Sequence, residues 1–139
     1  MRKIFVLAAA FLFIASVVNA QCDATTKFTA SKADFIKPNG DTNTRLQKVV
    51  VTADKQHVDV IIADGEDELK GDVTDYVCNF TNVNNGTINF KSEVTDKGGD
   101  VRHASFTIET KDGKTIIQVE AKEEETKIRF SVDSKEAVK

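Results

Sequence analysis

The chain has no tryptophan, one proline, one methionine, one tyrosine, two histidines and two cysteines in 139 residues. Without tryptophan there is no core indole to pack on an inter-sheet disulfide, which argues against an immunoglobulin-type sandwich. The two histidines, His57 and His103, stand apart from any cysteine or carboxylate at metal-ligand spacing. No nucleophile-elbow motif accompanies them, so neither a metal centre nor a catalytic triad is legible. The two cysteines, Cys22 and Cys78, do not form a CxxC redox or zinc pair. An excess of basic charge is also missing, since the whole chain carries −3. Residues 1–20 hold Arg2 and Lys3 and no acid, so the remainder sets 17 basic against 22 acidic side chains, or −5. Such a balance disfavours nucleic acid and anionic lipid as main partners.

Long apolar runs occur in one place only. Met1-Arg2-Lys3 precedes an unbroken apolar stretch from Ile4 to Val18, which ends in Val18-Asn19-Ala20. A positive start, an apolar middle and a small final residue make a secretory signal, with cleavage between Ala20 and Gln21. A membrane anchor needs about 20 apolar residues, more than this stretch supplies. Lipidation at Cys22 wants a small residue before it, and Gln21 is bulky and polar. The expected division is a signal peptide at 1–20 and a single all-β domain at 21–139, secreted or periplasmic after cleavage. In an oxidising compartment an isolated, even pair of cysteines predicts one disulfide, Cys22–Cys78.

What the remaining chain does contain is alternation. Four successive segments switch between apolar and polar at period two. Ile88, Phe90 and Val94 share a face with Ser92, while Asn89, Lys91 and Glu93 take the other. Ala104, Phe106 and Ile108 do the same, as do Ile117 and Val119, and then Ile128, Phe130 and Val132. Earlier segments repeat the pattern at Val49 and Val51, at Val58, Val60 and Ile62, and at Tyr76, Cys78 and Phe80. Period two marks half-buried antiparallel strands. The dipeptides Asn39-Gly40, Asp64-Gly65, Asn85-Gly86, Gly98-Gly99 and Asp112-Gly113 punctuate the strands as turns. An opening segment from Phe28 to Ile36 reads as a strand, or in part as a short helix at Ser31–Phe35. It ends at Lys37-Pro38-Asn39-Gly40.

The sum is an antiparallel up-and-down meander of about eight strands. It closes as a small lipocalin-like barrel, or alternatively folds as a two-layer β-sandwich, because closure removes exposed edges. No segment offers the crossover a parallel sheet needs.

Several motifs resemble a known group. Cys22-Asp23, Lys27-Phe28-Thr29-Ala30-Ser31-Lys32, Tyr76-Val77-Cys78-Asn79-Phe80 and Thr107-Ile108-Glu109-Thr110-Lys111-Asp112-Gly113-Lys114 resemble uncharacterised small secreted Gram-negative bacterial proteins with a lipocalin-like strand pattern. Members of that group often carry Trp two residues after the second Cys, where this chain has Phe80. The resemblance implies a compartment and a fold, and no activity.

Candidate sites are few. The acidic turn Asp64-Gly65-Glu66-Asp67-Glu68 lacks the ligand periodicity of a calcium loop and reads as a solvated tip. Glu123-Glu124-Glu125 reads the same way. Asn79-Phe80-Thr81 and Asn85-Gly86-Thr87 match the glycosylation sequon, Asn85 being the better acceptor if it occupies a turn. The inward set Tyr76, Phe80, Phe90, Phe106 and Phe130 carries the functional expectation. These aromatics either line a pocket for a small apolar ligand or fill the interior, the commoner fate of such residues. The expectation is an exported, non-enzymatic β domain without cofactor or metal. Its partner is a small apolar ligand, or else a protein bound at a strand edge or loop end.

Overall fold

The protein is described here by a computed structural model covering residues 22–138; the expected signal at 1–20 and the expected cleavage between Ala20 and Gln21 lie outside the described residues. Eight strands follow one another: β1 (Thr25–Ile36), β2 (Thr42–Ala53), β3 (His57–Ile62), β4 (Asp67–Asn82), β5 (Asn85–Thr95), β6 (Val101–Lys111), β7 (Lys114–Ala121) and β8 (Lys127–Val138). Each pairs antiparallel with the next, and β8 returns to pair with β1. The sheet is therefore a closed up-and-down barrel, and the sandwich alternative falls away. Among the described residues no helix is long and apolar enough to cross a membrane.

Burial follows the alternation. Along β5 the pattern is strict: Ile88, Phe90, Ser92 and Val94 are buried and their neighbours exposed. β6 continues it with Ala104, Phe106, Ile108 and Thr110. Cross-strand partners share a face, so the register Phe90↔Phe106 and Phe106↔Val119 stacks these side chains in one interior layer. The rings of Phe90 and Phe106 lie 4.8 Å apart and nearly parallel, and Tyr76 stacks on the far side of Phe90 at 6.2 Å. With Val51, Val60, Ile108 and Ile117 also buried, the middle of the barrel is filled.

The turns correct one expectation. Asp112 and Gly113 both take positive φ, 51° and 79°, as a two-residue hairpin turn requires. Asn85-Gly86 is not a turn: it opens β5, and the chain reverses at Val83-Asn84. Gly86 is needed for space instead. A Cβ there would lie 2.2 Å from the Phe80 ring and 2.7 Å from the Asn79 carbonyl oxygen. Asn85 is tied down as well, accepting from the Asp112 N–H and donating to Asn82 Oδ1, which weakens it as a glycan acceptor.

Register slips break the period at several places, and three of them re-aim side chains. Ser31–Phe35 belongs to β1 and not to a helix, but the register slips between Ala30 and Ala33. The inward set of β1 thus changes from Phe28 and Ala30 to Ala33 and Phe35. In β4 the slip falls between Thr74 and Val77, where Asp75 takes φ 52°. In β8 it falls at Asp133: Ala30 faces Val132, but the next β1 residue, Thr29, faces Ser134. Each adds one unpaired residue, a β-bulge that sharpens the bend of the strand. Each also reverses which side chains point inward beyond it.

Candidate functional site: an apolar cleft at one mouth of the barrel

Strand lengths create the site. β3 has 6 residues and β4 has 16. Their ladder stops at His57↔Asp72, the Val73 N–H donates to the Gln56 carbonyl of the β2–β3 turn at 2.8 Å, and beyond it β5 is the one strand paired with β4. The overhang leans past the barrel rim at the mouth that holds the β2–β3, β4–β5 and β6–β7 turns. Its open side is spanned by the residues that precede β1. Cys22 is disulfide-bonded to Cys78, as the sequence predicted. The Tyr76 hydroxyl donates to the Cys22 carbonyl at 3.2 Å. Burial, then the charges of Asp23 and Asp54, push the Tyr76 phenol above its ordinary value, so it stays a donor. The neighbouring β2–β3 turn is pinned by Asp54, which accepts from the Gln56 and His57 N–H groups and from the Thr25 hydroxyl. Burial opposes ionisation of Asp54, but these donors prevail and its carboxyl lies below its ordinary value.

Between the overhang and the end of β8 lies a cleft of about 330 Å³. Its wall is apolar, made by Phe28, Phe80, Ile88, Ile108 and Ala137. A narrow extension below it reaches Tyr76 and Phe90. Polar groups are few and grouped. Thr26 and Thr110 reach the wall, and the Thr110 and Thr115 hydroxyls, both buried, lie 2.8 Å apart.

The five aromatics named from the sequence do not line one calyx. Phe80 lines the cleft, and Tyr76 and Phe90 close its floor. Phe106 and Phe130 lie beyond the Phe90–Phe106 stack, beside a separate cavity of about 60 Å³ near the opposite mouth. Arg102 lids that second cavity, pairing with Glu124 at 3.2 Å and Asp96 at 3.9 Å.

Sequence reasoning missed Lys135. The alternation Ile128, Phe130, Val132 leads one to expect Ser134 and Glu136 inside. The bulge at Asp133 puts Lys135 opposite the buried Phe28 instead, and Ala137 opposite Thr26. Lys135 accordingly lines the cleft. Burial pulls its ammonium below the ordinary lysine value. Glu136 points the other way, to Lys27 at 3.8 Å.

Both histidines lie on the exposed outer surface, each beside a carboxylate; His57 Nε2 is 3.7 Å from Asp72, its cross-strand partner. His103 is held between two carboxylates, Nδ1 at 2.5 Å from Glu123 and Nε2 at 2.7 Å from Glu93. Hydrogen bonds to Glu123 and then Glu93 raise its affinity for a proton. Sequence spacing does not show this pairing, because Glu93 is a cross-strand partner in the β5–β6 register, a neighbour in space and not in sequence. Among the described residues no group of three or more His, Cys, Asp or Glu is placed to hold a metal ion. No family model, curated protein or solved structure matches the chain.

Proposed function

We propose that this chain is an exported, non-enzymatic binding protein that holds a small apolar molecule in the cleft beneath the β4 overhang. The observation that carries the reading is an apolar cleft walled by Phe28, Phe80, Ile88 and Ile108 and left open at the end of a barrel whose middle is filled. Its 330 Å³ falls at the lower edge of the range for small-molecule sites, about 300–1,000 Å³. The titratable residues bordering it are Lys135 and Glu136, and the Glu136 carboxylate turns outward to Lys27. His57 and His103 lie on the outside, so no histidine base reaches the cleft, which supports a binding role over histidine-based catalysis. The predicted signal and the disulfide support action outside the cytoplasm.

The test is displacement of a fluorescent fatty-acid probe from the mature, oxidised protein by a homologous series of straight-chain ligands. Each added methylene contributes about 0.8 kcal/mol, so affinity rises about fourfold per carbon until the cleft is full. An absence of saturable binding across the series refutes the reading.

A second reading, protein interaction at a strand edge, is favoured by one observation. β2–β3 pairing begins only at Val49↔Ile62, so β1 is the one strand paired with residues 42–48, although Lys48 reaches Asp64 at 3.6 Å, and Leu46 is 82 % exposed. Such an edge can add a strand from a second copy. Sedimentation of the wild type and of Leu46→Lys tests this: concentration-dependent dimers abolished by the substitution support it, and a monomer throughout refutes it.

A further inference from the structure

We infer that the cleft takes a medium-chain amphiphile with an anionic head, whose tail lies against Phe28, Phe80 and Ile88 and whose head sits on Lys135. This rests on the apolar-ligand reading above and adds the head group and the length.

The head follows from the Asp133 bulge. Without the extra residue, β8 would turn Lys135 to solvent among the other charges of the outer face. With it, the lysine shares the inner face with Phe28 and rises beside Thr26 and Thr110. Among the described residues its ammonium has no hydrogen bond and no ion pair. The adjacent acid, Glu136, is engaged on the outside by Lys27. Lys135 is exposed at the mouth, so its unpaired ammonium stands at the edge of the apolar wall, where an anionic head can meet it. The lowered proton affinity of Lys135, caused by burial alone, agrees with that surrounding. Charge-assisted hydrogen bonds to carboxylate or phosphate oxygens are the strong kind, and the nearby threonine hydroxyls supply neutral donors for a second oxygen.

The length follows from the floor. The Phe90–Phe106 stack, with Tyr76 above it, separates the cleft from the far cavity. A water-sized group occupies about 30 Å³. A volume of 330 Å³ therefore holds on the order of ten heavy atoms. A longer chain would leave its tail in water.

Calorimetric titration of the mature protein with decanoate, decyl phosphate, decan-1-ol and decyltrimethylammonium tests this, each kept below its micelle concentration. Decanoate is expected to bind about tenfold tighter than decanol, as one charge-assisted hydrogen bond implies. The ammonium amphiphile is expected to be weakest. If decyl phosphate exceeds decanoate, the head is a phosphate, and the assignment to an anion still holds. Lys135→Met should bring decanoate down to the decanol affinity while leaving decanol unchanged. Lys135→Arg should keep the difference, and so should Lys91→Met on the outer face. If decanol binds the wild type as tightly as the anions, the head-group inference is overturned and the apolar cleft stands. If no member of the set binds, both are overturned.

Discussion

Replacing Cys22 and Cys78 by serine removes the strap that joins the start of the domain to the β4 overhang. The magnitude can be worked from the loop it closes. The two residues are 56 apart in sequence. The chain-entropy relation for a loop of that length gives about 4 kcal/mol of lost stability at 25 °C. A domain's whole stability is only about 5–15 kcal/mol, so the bond is a large share of it. With an unfolding entropy of about 2.1 cal/mol/K per residue, the same loss lowers Tm by about 15 °C. The loss is also local. Residues 73–82 lack a second neighbouring strand, and Cys78 lies in the middle of them. Paired urea and thermal melts of the oxidised wild type and the double serine variant read the global term. Amide hydrogen exchange reads the local one, and the β4 overhang should lose protection before β6 or β7. A loss below about 1 kcal/mol, with unchanged exchange at 73–82, would refute the reasoning. It would show that hydrogen bonds and packing, such as Tyr76 to Cys22, hold the arm without the covalent link.

Three further outcomes are expected. Gly86→Ala should destabilise by about 1–3 kcal/mol in a urea melt, because the added Cβ meets the fixed Asn79 carbonyl as well as the movable Phe80 ring. The second prediction concerns His103, whose proton is bound more tightly in the folded than in the unfolded chain, so its clasp with Glu123 and Glu93 stabilises fully below the unfolded value. That contribution is lost as pH rises through the higher folded value; an NMR titration of the ring should show a midpoint above about 6.5 that falls back in Glu123→Gln, and a midpoint at or below 6.5 would contradict it. Phe106→Leu should thin the partition between the cleft and the far cavity at a modest stability cost, and shift the best ligand in the displacement series toward longer chains; an unchanged optimum would show that another side chain sets the depth.

The fold was legible because most of the barrel obeys a rule of period two. From Ile88 to Phe130 the inward residues can be read by counting, and the structure buries them in that register. The same counting failed where strand pairing needs an extra residue. At Ser31–Phe35 the broken alternation imitates a helix, although it is a bulged strand. At Asn85-Gly86 a turn dipeptide proved to be a strand position that must lack a side chain to admit the Phe80 ring. β2 begins at Thr42, seven residues before the apolar Val49, because a strand bordered on one side only can stay polar on both faces. Of the five aromatics, Phe90, Phe106 and Phe130 are buried, and Tyr76 and Phe80 are half-buried. Their division between two cavities depends on ring stacking, which a list of inward residues does not contain.

The candidate site arises from the same irregularities that hid it. Eight strands of equal length and unbroken period would form a barrel packed solid from rim to rim, with every charge outside. Here β3 is short, so β4 overhangs and leaves a mouth that the Cys22 arm only partly covers. The bulge at Asp75 then keeps Tyr76, Cys78 and Phe80 turned toward that mouth. Without the extra residue, Val77 and Asn79 would face it, and neither the disulfide nor the Phe80 wall could form. The bulge at Asp133 does the converse on the opposite wall, exchanging a run of outward charge for one inward lysine. A bulge costs ladder hydrogen bonds and is retained where it re-aims a side chain. Two bulges on the strands that flank one cleft, one presenting an aromatic wall and the other a cation, are what an amphiphile with a single negative end requires.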